Sequence, residues 1–192
     1  MHRPLKALKD RADIRAGYTF RDKIKEDPQG NVRFLQIKDV KGQREVRTEL
    51  LPLMQWPGSG APPTLMAGDI VLPARGDYYD AVLANGAAPV VATSQLFVLH
   101  PRNRTVTPEF LCWYLNQPAA QNYFRANRTG TSISMLSRQV LGALPVPVPT
   151  LAIQQKIIAL HQLLDREKVI TEQLLHNREQ MFAGIFQQLL ES

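Results

Sequence analysis

Apolar and polar positions follow two different rhythms along this chain. Through residues 1–142 short apolar runs are cut by turn formers every few residues. "DPQGN" (Asp27–Asn31) is a turn, and "VRFLQIKDV" (Val32–Val40) alternates partly with period two, as a strand does. "WPGSGAPP" (Trp56–Pro63) is a loop. "DIVLPAR" (Asp69–Arg75) and "PVVATSQLFVLH" (Pro89–His100) are strand-like, and between them Asn85-Gly86 is a hairpin-type pair. Thr107 is a helix N-cap candidate with Pro108 at the first helical position, followed by helical spacing of Phe110, Leu111, Tyr114 and Leu115. Pro118 restarts a second short helix through Phe124. "RTGTSISMLS" (Arg128–Ser137) is loop-like, and "RQVLGAL" (Arg138–Leu144) is a helical turn or the entry to a strand.

The rhythm then changes. Pro145, Pro147 and Pro149 fix φ, remove three backbone donors and push their neighbours to extended geometry. This stretch predicts a stiff strap that is neither helix nor the centre of a sheet. Thr150 is the next N-cap candidate. From Leu151 to Glu191 only Gly184 interrupts a helical pattern, and Ile153, Ile157, Leu160, Leu164, Leu174, Met181 and Ile185 fall on a heptad seam. Glu167, Thr171 and Arg178 interrupt the seam at core positions. A helix on the order of 60 Å long with such a stripe calls for a partner helix. Folding back as a hairpin is the alternative, and no turn signal near its midpoint supports it.

Charge divides along the same lines. Residues 1–50 carry 13 Lys and Arg against 8 Asp and Glu, and residues 101–140 carry 5 against 1. Residues 141–192 carry 4 against 5, so the excess behind the net +6 sits in the body and not on the terminal helix. A basic body suits approach to a phosphate backbone, although many basic proteins have no such partner. Cys112 is the only cysteine, in the apolar setting "PEFLCWYL", which fits a buried small hydrophobe and a reducing, cytoplasmic location. No apolar run reaches the roughly 20 residues of a membrane span, and the charged N-terminus is no signal peptide. His2, His100, His161 and His176 are scattered, no Gly-rich phosphate loop is present, and no serine sits in a nucleophile elbow. These absences point to a protein without catalysis of its own.

Several segments in order resemble half of a type I restriction-modification specificity subunit. "ADIRAGYTFR" (Ala12–Arg21) is similar to the family's opening strand and Gly turn, and "FLQIKDV" (Phe34–Val40) to the next strand. "MAGDIVLPARG" (Met66–Gly76) resembles the Gly-Asp-Ile-Leu motif, "VVATSQLFVLHP" (Val90–Pro101) the strand after it, and "TPEFLCWYLNQPAAQNYF" (Thr107–Phe124) the helical pair. "GTSISMLSRQVLGALPVPVPTLAIQQKI" (Gly130–Ile157) resembles the junction that ends in Pro-Leu-x-Glu-Gln-x-x-Ile, with Gln154 standing where the family usually has Glu. Each motif alone is weak; the ordered set is what is specific. A second recognition domain and second helix are not in this sequence, so the chain is either a natural half-length subunit, the favoured expectation, or a fragment of a longer one.

The resemblance implies an α+β fold: a small mixed target-recognition domain (1–143), the proline strap (144–150) and a long helix (151–192) in an antiparallel coiled coil. It implies a non-catalytic subunit that binds bipartite double-stranded DNA as a homodimer, with the heptad residues as the dimerisation seam. It further implies two partners: a DNA adenine methyltransferase subunit and a restriction/translocase subunit. S-adenosylmethionine, ATP and Mg belong to those partners and no cofactor to this chain. The loop residues expected at DNA are Tyr18, Arg21, Lys38, Arg75, Tyr78, Tyr79, Arg128, Thr131 and Ser132. The competing expectation is a coiled-coil adaptor or assembly inhibitor that mimics such a subunit without reading DNA, although a basic body argues against DNA mimicry.

Overall fold

The structure, a computed structural model, describes residues 5–43, 45–102, 105–130 and 134–191. The chain divides into two units, 1–154 and 155–192.

In the first unit, strands β1 (Leu5–Ala7) and β2 (Ala12–Ala16) are followed by β3 (Val32–Leu35) and the short helix α1 (Ile37–Val40). Strands β4 (Leu53–Met54), β5 (Ile70–Pro73), β6 (Val82–Leu83), β7 (Val90–Ala92) and β8 (Leu96–Pro101) come next. Helices α2 (Pro108–Leu115), α3 (Pro118–Asn127) and α4 (Arg138–Ala143) precede strand β9 (Pro145–Pro147) and helix α5 (Leu151–Glu191).

One sheet has the order β2-β8-β5-β6 and is antiparallel throughout, with Ile14 opposite Leu99 and Val71 opposite Val98. A second has the order β4-β3-β7, in which β3 and β7 run parallel with Phe34 opposite Val91. Leu35, Val71, Val82, Val90, Leu96 and Val98 belong to one buried cluster that draws on both sheets. Burying a Val or Leu side chain contributes about 1.5–3 kcal/mol, so this shared core is what holds the sheets to each other.

The helices are set by capping and by amide bridges. Thr107 Oγ1 accepts from Phe110 N at 3.2 Å and Ser137 Oγ from Val140 N at 3.1 Å, starting α2 and α4. Asn116, just after α2, accepts from Ala81 N at 2.9 Å and donates to Ala81 O at 2.8 Å, satisfying both backbone groups beside β6.

Three expectations change. Val32–Val40 is a strand only to Leu35; Asp39 Oδ2 then accepts from Gln36 N at 2.9 Å and turns the chain into α1. Pro89–His100 is two strands in different sheets, because Thr93, Ser94 and Gln95 form a turn between β7 and β8. Gly86 takes a left-handed φ of 70°, but β6 and β7 on either side pair elsewhere, so no hairpin forms.

The proline run lies within the first unit. β9 pairs antiparallel with β1 in a two-stranded ladder, Lys6 opposite Val146, and Val146 is fully buried. Prolines are tolerated there because a two-stranded ladder leaves each strand one unbonded edge.

The second unit is helix, part of the 41-residue α5. Ile153, in its first turn, and Ile157 are partly buried, whereas Leu160, Leu164, Leu174, Met181 and Ile185 are exposed. Phe182 and Phe186 stack at 6.1 Å on the surface. Among the described residues no helix is long and apolar enough to cross a membrane, and no cluster of His, Cys, Asp or Glu could hold a metal ion.

Candidate nucleic-acid interface

Strand direction gathers four loops at one end of the first unit. β2 runs antiparallel to β8, so the end of β2 meets the start of β8, and Gly17 N donates to Leu96 O at 2.8 Å. β5 is also antiparallel to β8, so its end lies there too, with Ala74 N donating to Gln95 O at 2.8 Å. β3 and β7 are parallel, so they finish together, and Thr93 N donates to Leu35 O at 3.0 Å. The loops after β2, β3, β5 and β7 therefore share an edge, with the Thr93–Gln95 turn at its centre.

The loop after β2 begins with an aromatic cluster. The Tyr18 ring lies 4.9 Å from Phe20 and 4.7 Å from Trp56, centroid to centroid. Trp56 is held by its indole N–H, which donates to Gly60 O at 2.8 Å, and by its backbone N–H, which donates to Asn31 Oδ1 at 2.9 Å. Gly58 lets the loop close on this ring, since a Cβ there would sit 2.7 Å from Trp56 Nε1. Two clefts flank the loop. The larger, about 700 Å³, has Tyr18 and Phe20 with Arg21, Lys23 and Lys25 in its wall, interspersed with Asp22 and Asp27. The smaller, about 310 Å³, has Gln36 and the Thr93–Gln95 turn in its wall.

The loop after β5 carries a second basic group. Gly76 N donates to Ser134 O, and Leu136 N to Ala74 O, each at 2.8 Å. Met135 bridges both Arg75 and Thr129, so the backbone sets Arg75 beside the segment that carries Arg128. Arg128 Nη1 donates to Asp77 Oδ1 at 3.0 Å. Lys41 Nζ sits 4.4 Å from the Tyr78 ring centroid, and Gly42 N donates to Asp80 Oδ2 at 3.0 Å, tying the end of α1 to this loop.

Of the residues expected at DNA, Arg21, Lys38, Tyr78 and Arg128 are exposed, and Tyr18 and Arg75 partly so. Tyr79 is corrected. It is fully buried against Phe124 at 5.7 Å and belongs to the core, where burial raises its phenol above the usual range, partly offset by the nearby Arg128 guanidinium. Tyr78 is exposed and Tyr79 buried, a difference the pair "YY" does not reveal. Thr131 and Ser132 lie outside the described residues. The aromatic Trp56, the amides of Gln36 and Gln95, and Lys41 were not expected here. An aromatic inside the Pro/Gly loop "WPGSG" was the available signal for Trp56.

A third feature lies at the start of α5. Gln154, fully buried, accepts from Thr107 N at 2.9 Å and donates to Thr105 O at 2.7 Å and Pro149 O at 2.8 Å. Both amide hydrogens and the carbonyl oxygen are thus engaged. Counting from Leu151 to Ile157 puts Gln154 on the glutamine of Leu-x-Glu-Gln-x-x-Ile and Ile153 on the glutamate, which corrects the register in which Gln154 replaces Glu.

Residues 5–177 match the family model described as "Type I restriction modification DNA specificity domain". The chain is 26% identical over 163 residues to the type I restriction enzyme HindI specificity subunit of Haemophilus influenzae, covering 81% of this chain and 35% of that protein. Among solved structures it is similar to the HsdS subunit from Thermoanaerobacter tengcongensis, with TM-score 0.60, 18% identity and coverage of 85% of this chain and 37% of that one. The type I restriction-modification system S subunit from M. genitalium gives TM-score 0.59 and 15% identity, covering 86% and 40%. At these identities the structural likeness shows the fold. The chain spans little more than a third of the length of the curated relative it matches.

Proposed function

The chain belongs to the type I restriction-modification DNA specificity family, and on that premise we propose that it recognises DNA sequence for a type I restriction-modification complex. The observation that carries this reading is the gathering of four loops at one end, where Arg21 and Lys23 line clefts walled by amides, hydroxyls and aromatic rings and the loop after β5 adds Arg75 beside the Arg128 segment. Cationic side chains supply sequence-independent attraction and register on the phosphates, and amides supply base choice.

The finer assignment extends to assembly. The exposed heptad face of α5 pairs antiparallel with α5 of a second copy, and the two bodies read the halves of a bipartite target. A face that presents Leu160, Leu164, Leu174, Met181 and Ile185 to solvent supports this, because an amphipathic helix of that length gains stability from packing rather than from propensity. The dimer positions a DNA adenine methyltransferase subunit, and a restriction/translocase subunit where one is present. Those partners carry S-adenosylmethionine, ATP and Mg.

The test is DNA binding by the purified chain across a salt series. Binding should weaken steeply with salt. Arg21→Ala or Arg75→Ala should each lower affinity and flatten the slope by about 0.9 for each phosphate no longer neutralised. A chain that binds no duplex at low salt is instead the protein-binding adaptor. Light scattering should give a dimer for the parent and a monomer for Leu164→Glu; a monomeric parent removes the self-pairing.

A further inference from the structure

We propose that the smaller cleft beside the Thr93–Gln95 turn reads the major-groove edge of one adenine, with Gln95 or Gln36 as the specificity-determining amide. The proposal rests on the DNA-reading function above and assigns which surface makes the base choice.

The first observation is Thr93. The residue is 7% exposed and lines the cleft, and its buried Oγ1 has no described hydrogen-bond partner. A buried hydroxyl without a partner is costly, so a native fold keeps one where something else completes it. Thr93 cannot turn its backbone away to relieve this. Thr93 N donates to Leu35 O, Leu96 N donates to Thr93 O, and Gly17 packs so close that a Cβ would sit 2.2 Å from that same oxygen.

The second observation is the set of groups around it. Gln36, Ser94 and Gln95 join Thr93 in the wall, with Lys23 opposed by the carboxylates of Asp22 and Glu26. Two carboxylates against one ammonium make a poor phosphate site. Guanine offers only acceptors in the major groove and cytosine only a donor. A wall of amides and hydroxyls that both donate and accept matches adenine, which offers an acceptor at N7 and a donor at N6 side by side. Tyr18 and Phe20 close the flank of the cleft. The turn itself is held rigidly from both sides, by Thr93 N on Leu35 O and by Ala74 N on Gln95 O, while the Ser94 and Gln95 side chains are exposed. Division of labour follows: Arg21 and Lys25 line the larger cleft alone, suited to the backbone, and Gln36 and Gln95 line the smaller one alone, suited to a base.

The experiment is selection from a randomised duplex library by the full chain, repeated with Gln95→Ala, Gln36→Ala and the near-isosteric Thr93→Val. The parent should enrich a motif with a strongly preferred A·T pair. At least one glutamine variant should lose about tenfold or more of the preference at that pair alone, while binding the unselected library as the parent does. Replacing that adenine by 7-deazaadenine should weaken the parent and leave the same variant unaffected. A parent motif that survives all three substitutions, or a lost preference at a G·C pair, overturns the adenine assignment. A parent that enriches no motif overturns the DNA-reading function beneath it. Circular dichroism verifies that each variant is folded, and light scattering that it is monodisperse, before selection.

Discussion

The backbone N–H of Thr107 donates to the side-chain oxygen of Gln154 at 2.9 Å, joining the cap of α2 to the first turn of α5. The Gln154 side-chain Nε2 donates to the Thr105 and Pro149 carbonyls, so only a group with one acceptor and two donors fits. Gln154→Glu keeps the shape but turns a carboxylate toward two carbonyl oxygens. It should lower stability by about 1–3 kcal/mol, read from the urea midpoint followed by tryptophan fluorescence. A midpoint equal to that of the parent would show that the junction tolerates a charge.

Gly17 is required by a close approach. A Cβ there would lie 2.2 Å from Thr93 O and 2.5 Å from Ala92 O, both backbone atoms that cannot swing aside. Gly17→Ala should therefore part the end of β2 from β7 and cost about 1–3 kcal/mol or more. Thermal denaturation gives the shift, and Ala16→Gly, one residue earlier and exposed, should cost far less.

Asp13 titrates below the usual carboxylate range, chiefly because Arg102 hydrogen-bonds it, with the guanidinium charge adding to this. The folded-state value is depressed, so its contribution is present above the ordinary value of 3.8 and is lost as pH falls through the folded value. Arg102→Ala should move the Asp13 titration upward toward 3.8 in carboxyl NMR. An unmoved titration would mean that the ion pair does not persist in solution.

Cys112, on α2, is buried with its Sγ 3.4 Å from Ala81 O, and burial pushes its thiol up to about 12, with the Glu109 charge adding to the effect. The folded-state value is raised, so the neutral thiol is no burden below its ordinary value of 9.0, and stability falls as pH rises from there toward 12. At pH 8 an aromatic disulfide reagent should leave Cys112 unmodified in the native protein and react at once in denaturant. Fast native labelling would mean that α2 opens.

Local chemistry was readable from residues alone. Thr107-Pro108 announces α2, Pro118 announces α3, and the unbroken run after Thr150 announces α5, because caps and helical spacing act within a few residues. The prolines of 145–149 were legible as extended chain, but their pairing with Leu5–Ala7 was not, since those segments lie at opposite ends of the first unit and nothing local marks them as partners. The same limit applies at the interface. Arg75 and Arg128 are each visible as loop cations, yet only the bridges through Met135 bring their segments together. Tyr78 and Tyr79 are identical letters, and packing against Phe124 decides that one is surface and the other core.

Thus the amino-acid order settles the helices of the second half, the family and the bias of charge toward the body, since propensity, capping and net charge are short-range or additive. Long-range strand pairing settles which loops share an edge. The antiparallel and parallel registers of β2, β5, β7 and β8 collect four loops at one edge, and close packing there seats Gly17 against Thr93 and buries a hydroxyl that no segment of sequence would single out.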